Sequence, residues 1–291
     1  MISRAVRGTG RSDSVCRGPF GLPFRAGLEM LRRMRFAVLG SGSGGNAAVV
    51  DCRGVRLLLD AGLSAKQLVL RLAEIGVDPG SLDGILLTHE HGDHTRGLKV
   101  FLKQHPVPVY GTPGTVRLVR EAGVPHGTWR VFESGRPFSI GTAEISPFAT
   151  QHDAVDPVGF VIRHAGRALG VLSDAGHVTR SIVASLLRLD ALFVEANYDE
   201  NLLEADTKRP WATKQRISSR HGHLSNTQVM ELIGEIAHPE LRHVVLGHLS
   251  SDCNCPDLVA RLMRGCLDGK GCDEAVVRCA HQEKPTGWFE L

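Results

Sequence analysis

Between residues 88 and 97 the chain reads Thr-His-Glu-His-Gly-Asp-His-Thr-Arg-Gly, which puts three histidines (His89, His91, His94) and two acids (Glu90, Asp93) within six residues. Neutral imidazole and carboxylate are the ligands that Zn, Mn or Fe accept. His89 and His91 are two apart, so they project the same way from an extended backbone. Asp93 and His94 follow Gly92 and can turn back toward a second point. The ordinary alternative is a polar loop that happens to collect histidines. The setting disfavours it, because the apolar run Gly84–Leu87 precedes the cluster and a helix-like pattern follows it.

The elements that must position such a cluster are legible as short apolar runs. Phe36–Leu39, Ala47–Cys52, Val55–Leu59, Gly84–Leu87, Val107–Tyr110 and Trp129–Phe132 predict strands, as do Ala143–Phe148, Gly159–His164, Ala168–Leu172, Ala191–Ala196, His243–Leu246 and Glu274–Cys279. Helical spacing runs through Ser64–Ile75 (Leu68, Leu72, Ile75), onward from Thr95 (Leu98, Phe101, Leu102), and through Thr115–Glu121, Ser225–Ala237 and Pro256–Cys266. This alternation of strand and helix makes the chain α/β. Several residues of the right chemistry stand where a strand gives out: Asp60, His152 with Asp153, Asp174 and His248. Glu195 lies inside the run Ala191–Ala196, where a carboxylate is costly unless it is paired.

Two stretches fit neither element. Ser41–Asn46 is glycine-rich but lacks a Walker lysine and a following helix, so it reads as a tight hairpin rather than a phosphate cradle. Asp199–Ser219 reads as irregular and polar. It and the residue after it bring Lys208, Arg209, Lys214, Arg216 and Arg220 around Trp211. Basic residues around an aromatic offer a surface to backbone phosphates, and a solvated loop is the plainer account.

Composition sets outer bounds. The 291 residues are 42% hydrophobic, ample for a core, and the 33 glycines suit a loop-rich β-sandwich. No apolar run approaches the ~20 residues of a membrane span, so no membrane partner is expected. Residues 1–35 hold eight arginines against two acids, a net of +6, so the rest of the chain carries −3 of the +3 total. Overall basicity is therefore no argument for nucleic acid. Residues 1–33 read as a basic disordered extension, an organellar transit peptide or a mis-assigned start, with one domain over residues 34–291. Seven cysteines and no secretory signal point to reduced thiols in the cytoplasm.

On its motifs the chain resembles the metallo-β-lactamase-fold hydrolases, and within them the YycJ/WalJ-like branch. The matching segments are Leu39–Asn46, Leu59–Leu63, Thr88–Asp93, His152–Asp153, Ser173–Gly176, His221–Asn226 and Gly247–Ser250, in that order from about Phe36 to Ser250. The resemblance implies a four-layer αββα sandwich with metals at one edge. It implies that His89, His91 and His152 hold one metal, that Asp93, His94 and His248 hold another, and that Asp174 bridges them. Asp60 is then the carboxylate that fixes a ligand histidine's tautomer. Seven N/O ligands exceed what one tetrahedral ion takes, so two divalent cations, Zn or Mn, are expected about 3.5–4 Å apart. Such a pair lowers the pKa of water from about 15.7 toward 7 and neutralises an anionic substrate; phosphodiesters gain most.

Glu195 and His223 resemble the glutamate–histidine pair of ribonuclease Z, another branch of the same superfamily. The likeness implies that His223 binds the scissile phosphate and protonates the leaving oxygen, with Glu195 orienting its ring. Asp93 joins them as a catalytic residue, and Lys208, Arg209, Lys214 and Arg216 are expected on the substrate. The branch implies 5′-exonuclease activity on DNA, with DNA favoured over RNA and a place in repair. Hydrolysis of small phosphodiesters or thioesters on the same metals is the alternative. A metal-stabilised regulatory protein is less consistent with a complete ligand set. No long insertion separates His152 and Asp174 from His248, so the large RNA-processing nucleases of the superfamily match poorly.

Overall fold

Fourteen strands form two seven-stranded sheets in the computed structural model, which describes residues 34–124 and 127–291. The expectations for residues 1–33 lie outside the described residues. The first sheet contains β1 (Arg35–Gly40), β2 (Ala47–Asp51), β3 (Arg56–Leu59), β4 (Gly84–Leu86), β5 (Val109–Gly111), β6 (Trp129–Val131) and β14 (Phe289–Glu290), in the order β14-β1-β2-β3-β4-β5-β6. The second contains β7 (Phe138–Ile140), β8 (Ala143–Ala149), β9 (Val158–His164), β10 (Arg167–Leu172), β11 (Ala191–Glu195), β12 (His243–Gly247) and β13 (Val276–Cys279), in the order β13-β12-β11-β10-β9-β8-β7. Each sheet is antiparallel in one half and parallel in the other: β3 to β6 and β10 to β13 run parallel.

Strand alternation distributes the core. Phe36, Leu57, Phe160, Val171, Phe193 and Val245 point between the sheets. Their neighbours Leu172, Leu192, Val194, Val244 and Leu246 face out and pack on helices Asn226–Ile236 and Pro256–Asp268 through Val229, Leu232, Ile233 and Met263. On the other side Leu39, Val49, Leu58 and Ile85 pack on helices Ala65–Glu74 and Leu98–Gln104 through Leu68, Leu72 and Phe101. The layers are therefore helix, sheet, sheet, helix, the αββα sandwich expected. Strands buried on both faces need near-continuous apolar sequence, as β11 and β12 have.

Helix starts follow local chemistry. Ser64 caps Ala65–Glu74 by accepting from Gln67 N, and Thr112 caps Pro113–Glu121. Ser225 and Gln228 form a reciprocal capping box at Asn226–Ile236. The Asp199–Ser219 segment is not irregular. It contains helices Glu200–Ala205 and Trp211–Ile217. The first is capped by Asp199, whose side chain accepts from Asn201 N and Leu202 N, and it buries only Leu203. The second buries no residue at all. Neither carries the apolar stripe from which helices are read. Helix Arg180–Ser185 and strands β7 and β14 are likewise additions to the sequence expectation. Among the described residues no helix is long and apolar enough to cross a membrane.

Candidate metal centre

The ends of β3, β4, β10, β11 and β12 deliver one cluster of side chains. Asp60 directly follows β3, and His248 directly follows β12. Thr88 and His89 come two and three residues after β4, Asp174 comes two after β10, and Glu195 closes β11. Asp60, Asp174 and His248 have φ of 56°, 52° and 51°. This left-handed backbone is uncommon for residues other than glycine and is concentrated at functional sites. Here it turns each strand sharply at the residue that enters the cluster.

The expected ligands converge in two groups. His89, His91 and His152 bring one nitrogen each within 4.8 Å of one another, and Asp93, His94, Asp174 and His248 do the same with one atom each. In the first group His91 Nδ1 lies 3.1 Å from His89 Nε2 and 3.3 Å from His152 Nε2. Ligands on a tetrahedral ion with bonds of about 2.0–2.1 Å stand about 3.3 Å apart, so these spacings fit a cation. The outer ring nitrogens are tied back. His89 Nδ1 meets Thr88 Oγ1 at 3.0 Å, and His152 Nδ1 donates to Gly222 O at 2.9 Å. Each inner nitrogen of these two rings is thereby left facing the cluster, where it could hold a cation.

In the second group His94 lies between two carboxylates, with Nδ1 2.7 Å from Asp60 Oδ2 and Nε2 2.6 Å from Asp174 Oδ2. Asp174 Oδ2 is also 3.5 Å from His89 Nε2, so this side chain touches both groups. Asp174 Oδ1 and His248 Nε2 are buried without a hydrogen-bond partner. Orphaned buried polar atoms call for an explanation, and a cation between them supplies one. Two divalent ions fit the residues present.

The electrostatics follow from burial and charge. Burial opposes protonation of His94, but the Asp60 and Asp174 carboxylates outweigh it and hold its pKa well above the usual imidazole value. Burial, with neighbouring His94, holds His89 well below it. His223 Nδ1 is 3.0 Å from Glu195 Oε2 and 3.4 Å from Asp174 Oδ1. Burial disfavours its charge, yet Glu195 and Asp174 raise its pKa to about 10. Glu195 itself is fully paired: Oε1 accepts from Ala175 N and from Leu224 N (3.4 Å), which relieves the cost of burying it.

A cleft of about 260 Å³ opens over the cluster, bordered by Ser43, Asp93, Asp153, Thr213, Arg216 and His223. Of the four basic residues expected on the substrate, only Arg216 borders this cleft. Its Nε donates to Asp153 Oδ2 at 2.9 Å. Lys208 pairs with Asp252 at 2.6 Å, Arg209 with Asp206 at 2.8 Å and with Asp252 at 3.0 Å, and Lys214 donates to Glu204 O at 2.8 Å. Those three knit the Glu200–Ile217 segment to itself and to the turn after β12. Asp153 also approaches His152 Nε2 at 3.1 Å.

Three positioning residues were not expected as such, although Ser41 and Asn46 lie in the matching segment Leu39–Asn46. Asn46 Nδ2 lies 3.3 Å from Asp93 Oδ2 and 3.1 Å from His94 Nε2. Ser41 Oγ accepts from His248 N at 2.8 Å. Asn197 Nδ2 donates to His248 O at 2.8 Å and sits 2.9 Å from His248 Nδ1.

Comparison with known proteins agrees with this architecture. A family model described as a β-lactamase superfamily domain matches residues 55–249. The chain is 31% identical over 242 residues to exodeoxyribonuclease YycJ of Bacillus anthracis, covering 82% of this chain and 90% of that one. It is 32% identical over 233 residues to exodeoxyribonuclease WalJ of Streptococcus pneumoniae, covering 79% and 86%. In structure it is similar to the metallo-β-lactamase fold protein YhfI of Bacillus subtilis, with a TM-score of 0.68 at 18% identity over 89% of this chain and 100% of that one.

Proposed function

The chain belongs to the β-lactamase superfamily, and on that premise we propose that it is a dinuclear-metal-dependent phosphodiesterase, an exonuclease that degrades DNA from its 5′ end. The observation that carries this reading is the Glu195–His223 pair, 3.0 Å apart, at the border of the cleft over the His/Asp cluster. The naming of both long-matching relatives as exodeoxyribonucleases supports it.

His89, His91 and His152 would hold one cation, Asp93, His94 and His248 the other, with Asp174 shared. Bound there, divalent ions such as Zn or Mn supply charge against the phosphodiester and an activated water. The remaining work falls to the chain. Glu195 binds His223 through Nδ1, which orients the ring and favours its protonated form. Its Nε2 makes no hydrogen bond to any described residue. The free face can therefore contact a phosphate oxygen and pass a proton to the departing deoxyribose oxygen. Arg216, on the cleft border, supplies a contact to the substrate backbone. The six cysteines among the described residues are free thiols, which supports a reducing setting such as the cytoplasm.

The test is product analysis on 5′- and 3′-labelled DNA and RNA with Mn- and Zn-loaded protein. The reading expects mononucleotides released from the 5′ end of DNA, and RNA cleaved more slowly. Intact DNA and RNA alongside rapid hydrolysis of bis-p-nitrophenyl phosphate or a thioester would replace it with a small-substrate hydrolase.

A further inference from the structure

The turn that joins β1 to β2 is bound more closely to the metal cluster than a plain hairpin requires. Gly45 N donates to Gly42 O at 3.0 Å, closing a four-residue turn with Ser43 and Gly44 at its tip. Asn46 fills its base: Oδ1 accepts from Gly42 N at 2.9 Å and Ser41 Oγ at 3.1 Å, and Nδ2 donates to Gly42 O at 3.2 Å. The same Asn46 and Ser41 touch Asp93, His94 and His248. The outer side is pinned as well. Gln282 Oε1 accepts from Gly44 N at 2.8 Å, its Nε2 donates to Gly45 O at 2.9 Å, and Arg96 donates to Gly44 O at 2.9 Å.

Within this clamped turn Ser43 differs from its neighbours. It is exposed, it borders the cleft, and neither its N–H nor its hydroxyl bonds to a described residue. Glycines flank it, with φ of 144° at Gly42 and 143° at Gly45. A Cβ at Gly45 would stand 2.5 Å from Gly62 O, so that position admits no side chain. A bare backbone held rigidly beside cations, with one free N–H and one free hydroxyl at its tip, is a device for gripping an anionic oxygen.

We propose that Ser43 binds a substrate phosphate, donating from its backbone N–H and its Oγ to a non-bridging oxygen, while Arg216 stands at another point of the same cleft border. This rests on the phosphodiesterase reading and names the group that selects a phosphorylated ligand. It gives the glycine turn a role that the sequence alone argued against for want of a lysine: the cations stand in for that charge.

The experiment uses the metal-loaded protein and thymidine 5′-monophosphate as a competitive inhibitor, with thymidine as the unphosphorylated control. Ser43→Pro removes both donors at a turn position that accepts proline. Ser43→Ala removes only the hydroxyl. The inhibition constant for the monophosphate should rise about 10-fold or more in Ser43→Pro and several-fold in Ser43→Ala, with inhibition by thymidine the same in all three proteins. Metal content is measured in each. If Ser43→Pro loses metal, Ser43→Ala decides alone. Unchanged monophosphate inhibition in a fully metal-loaded variant overturns the proposal. Bis-p-nitrophenyl phosphate serves as the assayed substrate, so a wild-type protein that fails to cut DNA sinks the nuclease reading without touching this comparison.

Discussion

Asp60 and His94 meet through a 2.7 Å contact between Oδ2 and Nδ1, sealed from solvent on both sides. Asp60 is otherwise satisfied by Thr88, accepting from its N–H and its hydroxyl at 2.8 Å each. The contact therefore keeps a proton on Nδ1, so that Nε2 is the nitrogen that would give up its proton to a cation. Asp60→Asn tests this, because asparagine tolerates the φ of 56° and keeps the backbone. An amide N–H facing His94 Nδ1 would reverse the tautomer. Metal affinity, measured by chelator competition, should fall by about 10–100-fold with the fold retained. Unaltered affinity would show that the pair serves only packing.

Asp174→Asn should act more severely. It keeps shape and left-handed backbone but removes the charge, and one of the two oxygens, of the side chain that touches both groups. Metal content by elemental analysis should drop from two ions per chain, and hydrolysis should be abolished. Two retained ions would remove Asp174 from the bridging position.

His223→Ala separates proton transfer from metal binding. Both ions should stay, while the rate on DNA falls by roughly 10²–10⁴-fold at saturating substrate. The loss should be smaller on bis-p-nitrophenyl phosphate, whose leaving group departs without a proton. Glu195→Gln should show the same contrast more mildly. Equal losses on both esters would falsify the general-acid role.

The basic residues near Trp211 should divide by whether they border the cleft. Arg216→Ala should weaken DNA binding and reduce the slope of log affinity against log salt by about one. Lys208→Ala and Arg209→Ala should leave that slope nearly intact, since both lie off the cleft and are held by Asp206 and Asp252, whereas Arg216, though paired with Asp153, borders it. Equal slope changes at all three would extend the binding surface over the whole segment.

Cys52 gives a pH dependence independent of the metals. Burial, helped by Asp51, pushes its thiol up to about 12. An unfolded chain releases this proton near pH 9, whereas the folded chain keeps it. The folded state then binds more protons, so stability falls as pH rises from about 9 to 12. Cys52→Ala should flatten the decline in melting temperature between pH 9 and 11 relative to the parent. An identical decline would assign it to other groups, among them Tyr198, which burial also raises to about 12.

Much of this candidate site could be read from sequence because its residues stand at the ends of apolar strands. His248 and Asp174 each follow a run that can only be buried, and His89 to His94 lie together. Glu195 was marked by its cost in an apolar run, and the partner it needed is present. The contacts of Asn46, Ser41 and Asn197 were not foreseen, since these types are common in any turn and the contacts span up to 207 positions; for Ser41 and Asn46 the matching segment Leu39–Asn46 was the available signal. Helix Trp211–Ile217 was missed for a physical reason: it buries nothing, and hydrophobic periodicity reports only on burial. Pairing of Lys208 and Arg209 with nearby acids likewise has no signature in a count of basic residues.

The left-handed backbone at Asp60, Asp174 and His248 has a consequence for how this protein would drift. Each such residue costs roughly 1 kcal/mol or more against glycine, where a whole domain holds only about 5–15 kcal/mol. Selected for heat resistance alone, in a chelating medium, a population of variants should exchange these three positions for glycine before it alters the strands behind them. Only continued demand for turnover keeps an aspartate or a histidine there.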